Sequence, residues 1–192
     1  GTAVLPAEGP ELLAAARRAG KQGVELSRQG LTARKIVTRK SFENAMLVHA
    51  AIAGSTNAML HLPAIAHEFG IPLDGETFER FHRDARYLLN VRPSGEWPAS
   101  FVHEAGGVPR VMWQIRDRLH LDAMTVTGKP LGENLEECQR SGWFDRPAPT
   151  LQAHGITWKD VIRPYNEPIG TNGTLAVLKG NLAPEGSVVK HS

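Results

Sequence analysis

The stretch Ala51-Ile-Ala-Gly-Ser-Thr-Asn-Ala-Met-Leu-His-Leu-Pro63 decides how the rest of the chain is read. A run of small residues from Ala50 to Gly54 delivers the backbone to three consecutive polar side chains, Ser55, Thr56 and Asn57. Behind them Met59, Leu62, Ala66 and Phe69 fall at i, i+3, i+7 and i+10, one stripe of a helix. Ser, Thr and Asn are preferred helix N-caps, because their side-chain oxygens accept the orphan amides of the first turn. Gly54 allows a tight bend and a close approach by another group. Such a helix start directs N–H donors and the positive end of the helix dipole outward, which suits a carboxylate or phosphate. Two readings fit these residues: a well-capped core helix, or a helix start that holds an anion.

On the N-terminal side, Pro10 to Gln29 has helical periodicity. Leu12, Leu13, Ala16, Ala19, Val24 and Leu26 form the apolar face, and Gly30 is a plausible stop. A second helix is expected from Thr38 or Ser41 to Ala53, with Phe42, Ala45, Met46 and His49 inward. On the C-terminal side, Pro63 lacks a backbone donor and is expected to kink or restart its helix. His61 follows the polar triplet closely, and both a cleft-facing and a core role fit it. His61 and His67 are six apart and project about 120° from one another, which argues against a shared metal site.

Thr77 to Ala85 reads as a short charged helix and Tyr87-Leu-Leu-Asn-Val91 as a strand, which empties into Arg92-Pro93-Ser94-Gly95. A polar turn at the carboxyl end of a strand is where open α/β sheets bind ligands, although Pro, Ser and Gly also serve plain turns. Helices are expected over Pro109 to Leu119 and Leu131 to Gln139. Gly106-Gly107 before the first is a weak anion-cradle signal, and Asp122 to Gly128 is a short strand or connector. After Gly142, prolines and glycines interrupt the pattern. Short β-type runs, Gly173 to Lys179 and Ser187 to Lys190, close the chain.

The charged fraction of 22% and net charge of +2 are spread along the chain, with no basic block, so no nucleic-acid partner is expected. No run approaches the roughly 18 apolar residues of a membrane helix, and the start has no signal pattern, so no membrane association is expected. The single Cys138 excludes an internal disulfide and fits a reducing, cytoplasmic setting.

Residues 53–66, Ala-Gly-Ser-Thr-Asn-Ala-Met-Leu-His-Leu-Pro-Ala-Ile-Ala, resemble the Gly-Gly-Ser-Thr-Asn-Ala-Val-Leu-His-Leu segment of the dihydroxy-acid and sugar-acid dehydratase family. Val91 to Gly95, Asp122 to Leu135 and Gly180 to Lys190 agree as well, in the family's order. Ala53 stands where the family usually has glycine, and the chain is shorter than a family member. The wording around Trp113 and Trp143 leans toward the sugar-acid, xylonate-type branch.

The resemblance implies the central part of a hydro-lyase that dehydrates a sugar acid, such as a pentonate, to a 2-keto-3-deoxy acid. The alternative is the dihydroxy-acid dehydratase of branched-chain amino-acid biosynthesis, or a non-catalytic carboxylate- or phosphate-binding fragment. It implies an α/β fold: the mostly helical part of an α/β dehydratase domain over 1–163, then the first strands of a β-barrel-like second domain over 164–192. An iron–sulfur cluster and Mg²⁺ serve the parent enzyme, with no ligands and no catalytic residue expected within this chain. The full-length enzyme is expected to be a homo-oligomer, dimer or tetramer. Ser55, Thr56 and Asn57, with Ser94 and Gly95 as a second polar lip, are the expected substrate-binding residues.

Overall fold

The computed structural model describes residues 2–7 and 9–191. Helices α1 (Pro10–Arg28), α2 (Ala33–Ile36), α3 (Arg39–Ala51), α4 (Ala58–Glu68) and α5 (Gly75–Asp84) occupy the first part. They are followed by α6 (Phe101–Glu104), α7 (Gly107–Gln114), α8 (Leu131–Arg140), α9 (Pro149–Ala153) and α10 (Trp158–Val161). Strands β1 (Leu175–Gly180) and β2 (Ala183–Lys190) then form a two-stranded antiparallel sheet. The architecture is a mostly helical body followed by a first pair of strands, as expected from the sequence.

Helix α3 is the central element of the body. Thr38 and Ser41 cap it reciprocally: the Thr38 amide donates to Ser41 Oγ at 2.9 Å, and the Ser41 amide donates to Thr38 Oγ1 at 3.4 Å. Phe42, Met46, Leu47, Val48, Ala50 and Ala51 are buried. The helix ends in a Schellman motif, with the Ala53 amide on the Ala50 carbonyl (3.3 Å) and the Gly54 amide on the His49 carbonyl (2.9 Å). That motif puts Ala53 in the left-handed region, φ 51°, at the position where the resembled family carries glycine.

The run Tyr87–Val91 is buried through Leu88 and Leu89 and is extended, but it is not a ladder strand. Its groups pair one at a time: the Leu88 amide with the Ala51 carbonyl, the Asn90 amide with Val161, and the Leu88 carbonyl with the Arg163 amide, all at 2.8–2.9 Å. Isolated bridges join Tyr87 to Gly170 and Leu89 to Ile162. Pro164 and Pro168 interrupt the neighbouring segment and supply no N–H, so a continuous ladder cannot form there. This run, with Val111, Ile115, Leu151, Val161 and Ile162, makes the main core beneath α3.

Two expectations from periodicity change in the fold. The apolar face of α1 is largely uncovered: Leu13 is 62% and Val24 54% exposed, and only Ala15 is buried. Periodicity reports that a helix has a face, not what lies on it. Helix α4 runs through Pro63 without a break. The one ladder bond that proline removes, to the Met59 carbonyl, lies near the helix start. In the hairpin, Leu175 is buried and pairs with Lys190, while Leu178 and Leu182 face solvent.

A non-glycine residue in the left-handed region costs about 1–2 kcal/mol. Ala53→Gly is therefore expected to raise the unfolding free energy by about 1 kcal/mol, net of the entropy that glycine adds to the unfolded chain, as measured by urea denaturation.

Candidate functional site

Two buried imidazoles lie under the corner between α3 and α4. His49 Nδ1 is 3.0 Å from His82 Nε2, and His49 Nε2 is 2.9 Å from the Ser55 carbonyl oxygen. The Leu175 amide of β1 donates to His82 Nδ1 at 3.2 Å. That donor fixes the protons along the whole line. His82 Nδ1 is an acceptor, so its Nε2 carries the hydrogen and donates to His49 Nδ1; His49 Nε2–H then donates to Ser55. All four ring nitrogens are satisfied, and both rings are neutral Nε2–H tautomers.

Glycines make room for this pair at each end. A Cβ on Gly54 would lie 2.1 Å from His49 Cδ2, and one on Gly173 would lie 2.4 Å from His82 Nδ1. Phe78 closes the site edge-on to His49, with centroids 6.1 Å apart. Burial, first of all, lowers the affinity of both rings for a proton. The His82 pKa falls from 6.5 to about 4, helped by His49, His191 and Lys190. The His49 pKa is also lowered by burial, against the opposing effect of its bond to Ser55.

The corner itself is open to solvent at Ser55, Thr56 and Asn57. Lys190 Nζ donates to the Ala53 and Gly54 carbonyls at 2.8 and 3.3 Å. A trans peptide points its N–H opposite to its C=O. Lys190 on the Gly54 carbonyl therefore aims the Ser55 amide away from that exposed ammonium, and the buried His49 on the Ser55 carbonyl aims the Thr56 amide outward. Neither amide has a protein acceptor among the described residues. The side chains cap less than expected. Asn57 is the N-cap residue yet its side chain takes no amide, and Ser55 Oγ accepts only the Asn57 amide, at 3.3 Å. The chain reaches Asn57 already in helical conformation (φ −58°, ψ −27°), so the Ser55 and Thr56 carbonyls take up the next amides instead.

Ser94 and Gly95 are held on a different support. Ser94 hydrogen-bonds the Tyr87 phenol. The Gly95 amide donates to the Val91 carbonyl at 2.8 Å, and a Cβ there would lie 2.4 Å from the Asn90–Val91 backbone. Its glycine is required by backbone contact. The Leu88–Ala51 hydrogen bond joins its extended run to the end of α3.

The other candidates serve packing. Gly106 lies against Arg110, whose guanidinium sits over the Phe144 and Trp158 rings (4.7 and 4.2 Å) and donates to the Phe144 carbonyl. Gly106 accommodates that side chain. His61 and His67 are exposed. Burial pushes the half-buried Cys138 thiol up, away from the thiolate that metal binding needs. Glu104 is occupied by the Thr150 amide and hydroxyl and the Leu151 amide, at the side of a cleft of ≈ 550 Å³ that also holds His103 and Arg146. No group of three or more His, Cys, Asp or Glu side chains suited to a metal ion occurs among the described residues. The described residues thus assemble no such donor set for an iron–sulfur cluster or Mg²⁺. His82, Gly173 and Lys190 were not singled out from the sequence. The i, i+4 spacing of Phe78 and His82 on one face of α5 is the signal that marks His82 as inward.

Comparison with known proteins then identifies the chain. Residues 1–134 match the family described as Dihydroxy-acid/6-phosphogluconate dehydratase N-terminal, and residues 160–192 match its C-terminal counterpart. The chain belongs to the dihydroxy-acid/6-phosphogluconate dehydratase family. It is 47% identical over 179 residues to the dihydroxy-acid dehydratase of Methanosarcina barkeri, covering 92% of this chain and 30% of that protein. It is 43% identical over 192 residues to that of Chloroflexus aurantiacus, covering 99% of this chain and 32% of the relative. The Thermosynechococcus vestitus protein of the same name is 40% identical over 193 residues, covering 100% of this chain and 32% of the relative. The chain thus spans about a third of the length of these relatives.

These names overturn the sugar-acid reading and favour its alternative. The residues that suggested a xylonate-type branch have a packing role. Trp113 tilts against Phe144, and Trp143 donates to the Gly106 carbonyl at 2.9 Å under the Arg146 guanidinium. They report how the chain packs, not which acid is bound. No helix among the described residues is long and apolar enough to cross a membrane.

The imidazole pair sets a pH dependence. Well above pH 6.5 both rings are neutral, folded or unfolded, and contribute no slope. As pH falls below 6.5 the unfolded chain gains protons that folded His82 refuses until about pH 4. Stability is therefore expected to fall by roughly 3 kcal/mol across that window. Urea unfolding at stepped pH checks this, and a His82→Asn chain is expected to show a much shallower slope. Long-range ¹H–¹⁵N spectra at pH 7.5 are expected to show both rings as Nε2–H tautomers.

Proposed function

We propose that this chain is the central part of a dihydroxy-acid dehydratase, which removes water from a 2,3-dihydroxy acid to give an enol that tautomerises to a 2-keto acid. The observation that carries the reading is 40–47% identity to proteins named dihydroxy-acid dehydratase across nearly the whole chain. Within that enzyme the chain supplies the substrate-facing wall. The carboxylate of the acid meets the Ser55 and Thr56 amides and the Thr56 and Asn57 side chains. Ser94 and Gly95 form the second lip.

The chemistry supports this assignment of roles. Two outward amides at a helix start favour an anion, and they stabilise charge without protonation. Lys190, which sits on the carbonyls of the same corner, adds positive charge close by. Dehydration also needs a base for the C2 proton and a Lewis acid for the departing C3 hydroxyl. The iron–sulfur cluster and Mg²⁺ that the resemblance implies would supply the Lewis acid. The described residues provide no donor set for either, so the contribution derived for this chain is binding and orientation. In this proposal the boundary between the α/β domain and the β domain falls at residues 163–164, and the whole enzyme assembles as a dimer or tetramer.

The test uses the full-length enzyme. It is expected to turn over a branched 2,3-dihydroxy acid in preference to a pentonate, followed by keto-acid release. Asn57→Ala is expected to lower kcat/KM at least tenfold, about 1.4 kcal/mol of lost stabilisation. Unchanged efficiency in that variant rejects the corner as substrate wall.

A further inference from the structure

We infer that His49, backed by His82, is a positioning residue for the dehydratase reaction: its hydrogen bond to the Ser55 carbonyl aims the Thr56 amide at the substrate carboxylate. The inference rests on the substrate-wall reading of the corner.

The geometry runs in one direction. The Leu175 amide makes His82 Nδ1 an acceptor, His82 Nε2 donates to His49, and His49 Nε2 donates to Ser55. The Ser55–Thr56 peptide is planar and trans, so a donor on its oxygen fixes the direction of its hydrogen. The Ser55 carbonyl also accepts the Ala58 amide at 3.1 Å, within the first turn of α4. That bond ties the peptide to the helix, while His49 ties it to the core.

A purely structural role accounts poorly for the choice of residues. A pair of apolar side chains would fill the same volume without the cost of desolvating two imidazoles. What an apolar pair cannot do is donate to the Ser55 oxygen. The charged and titratable groups facing the pair are Lys190 and His191, both from the end of β2. The hairpin therefore supplies the donor that sets the tautomers as well as the second group that orients the corner. Docking of β1 on α5 thereby fixes the aim of the Thr56 amide.

The test compares His49→Gln and His49→Asn in the full-length enzyme. Gln reaches the position of Nε2 and keeps a donor for Ser55, whereas Asn is too short. KM for the dihydroxy acid is expected to stay within about threefold of wild type in His49→Gln. In His49→Asn it is expected to rise at least tenfold with kcat changed less, and thermal melts should show both variants folded. Both replacements are polar and similar in size, so a packing role moves their KM values together. Equal KM values in the two variants overturn the inference. If Asn57→Ala in the same assay still raises KM, the corner stands and only the role of His49 falls. If Asn57→Ala leaves KM unchanged, the substrate-wall reading falls and the inference with it. Should His49→Asn not fold, His82→Leu replaces it, because it removes the donor that holds His49 in place; a wild-type KM there also overturns the inference.

Discussion

The hydrogen-bond line from the Leu175 amide through His82 and His49 to the Ser55 carbonyl is the constraint on which the rest depends. It joins β1, α5, α3 and the corner before α4, four elements separated by up to 126 positions in sequence. No one of these could be moved without leaving a buried polar atom unpaired, which costs about 1–3 kcal/mol each. The line also dictates glycine at two remote places. Gly54 and Gly173 are fixed by the imidazoles they touch, and neither has a positive φ.

Around this line each of the corner's carbonyls has a donor. Ala53 and Gly54 face Lys190, and Ser55 faces His49. The outward amides follow from peptide planarity, so the interior decides what the surface offers. A Schellman motif at the end of α3 sets this up, because its left-handed residue reverses the chain within two positions. Ala53 occupies that residue at a steric cost which the motif's two hydrogen bonds and the Lys190 contact offset.

Much of the helical body was legible because its signals are local. The start of α3 was bracketed by Thr38 and Ser41, and the structure uses both in one capping box. The stripe of Phe42, Met46 and His49 faced inward as its spacing required. The polar triplet was legible as a helix start, but its mechanism was not. Side-chain capping was expected, whereas the backbone of Ser55 and Thr56 does the pairing and the side chains remain exposed. The His49–His82 contact was not legible, since it spans 33 positions and neither ring belongs to a spacing motif. The extended run Tyr87–Val91 was read as a strand from its composition. Whether such a run joins a ladder depends on its neighbours, and here Pro164 and Pro168 forbid one. Trp113 and Trp143 serve packing, so they carry no signal for which acid is bound.

The energetic logic of the imidazole pair explains why it is buried at all. Each neutral ring loses hydration on burial, and a half-satisfied ring would be worse than a hydrocarbon. With all four nitrogens paired, the residual cost is small, but it is not repaid by packing alone, because aliphatic side chains pack as well. What the rings add is direction. An imidazole is a donor at one nitrogen and an acceptor at the other, so two in series carry the polarity of the Leu175 amide to the Ser55 oxygen without reversing it. A single ring is too short for that span, and a chain of hydroxyls could rotate and reverse. Protonation of His49 would set two N–H groups against each other between the rings, and protonation of His82 would set its Nδ1–H against the Leu175 amide; either breaks the line. Burial lowers the proton affinity of both, with His82 held near 4. The same desolvation that makes the pair costly thus protects its direction at physiological pH.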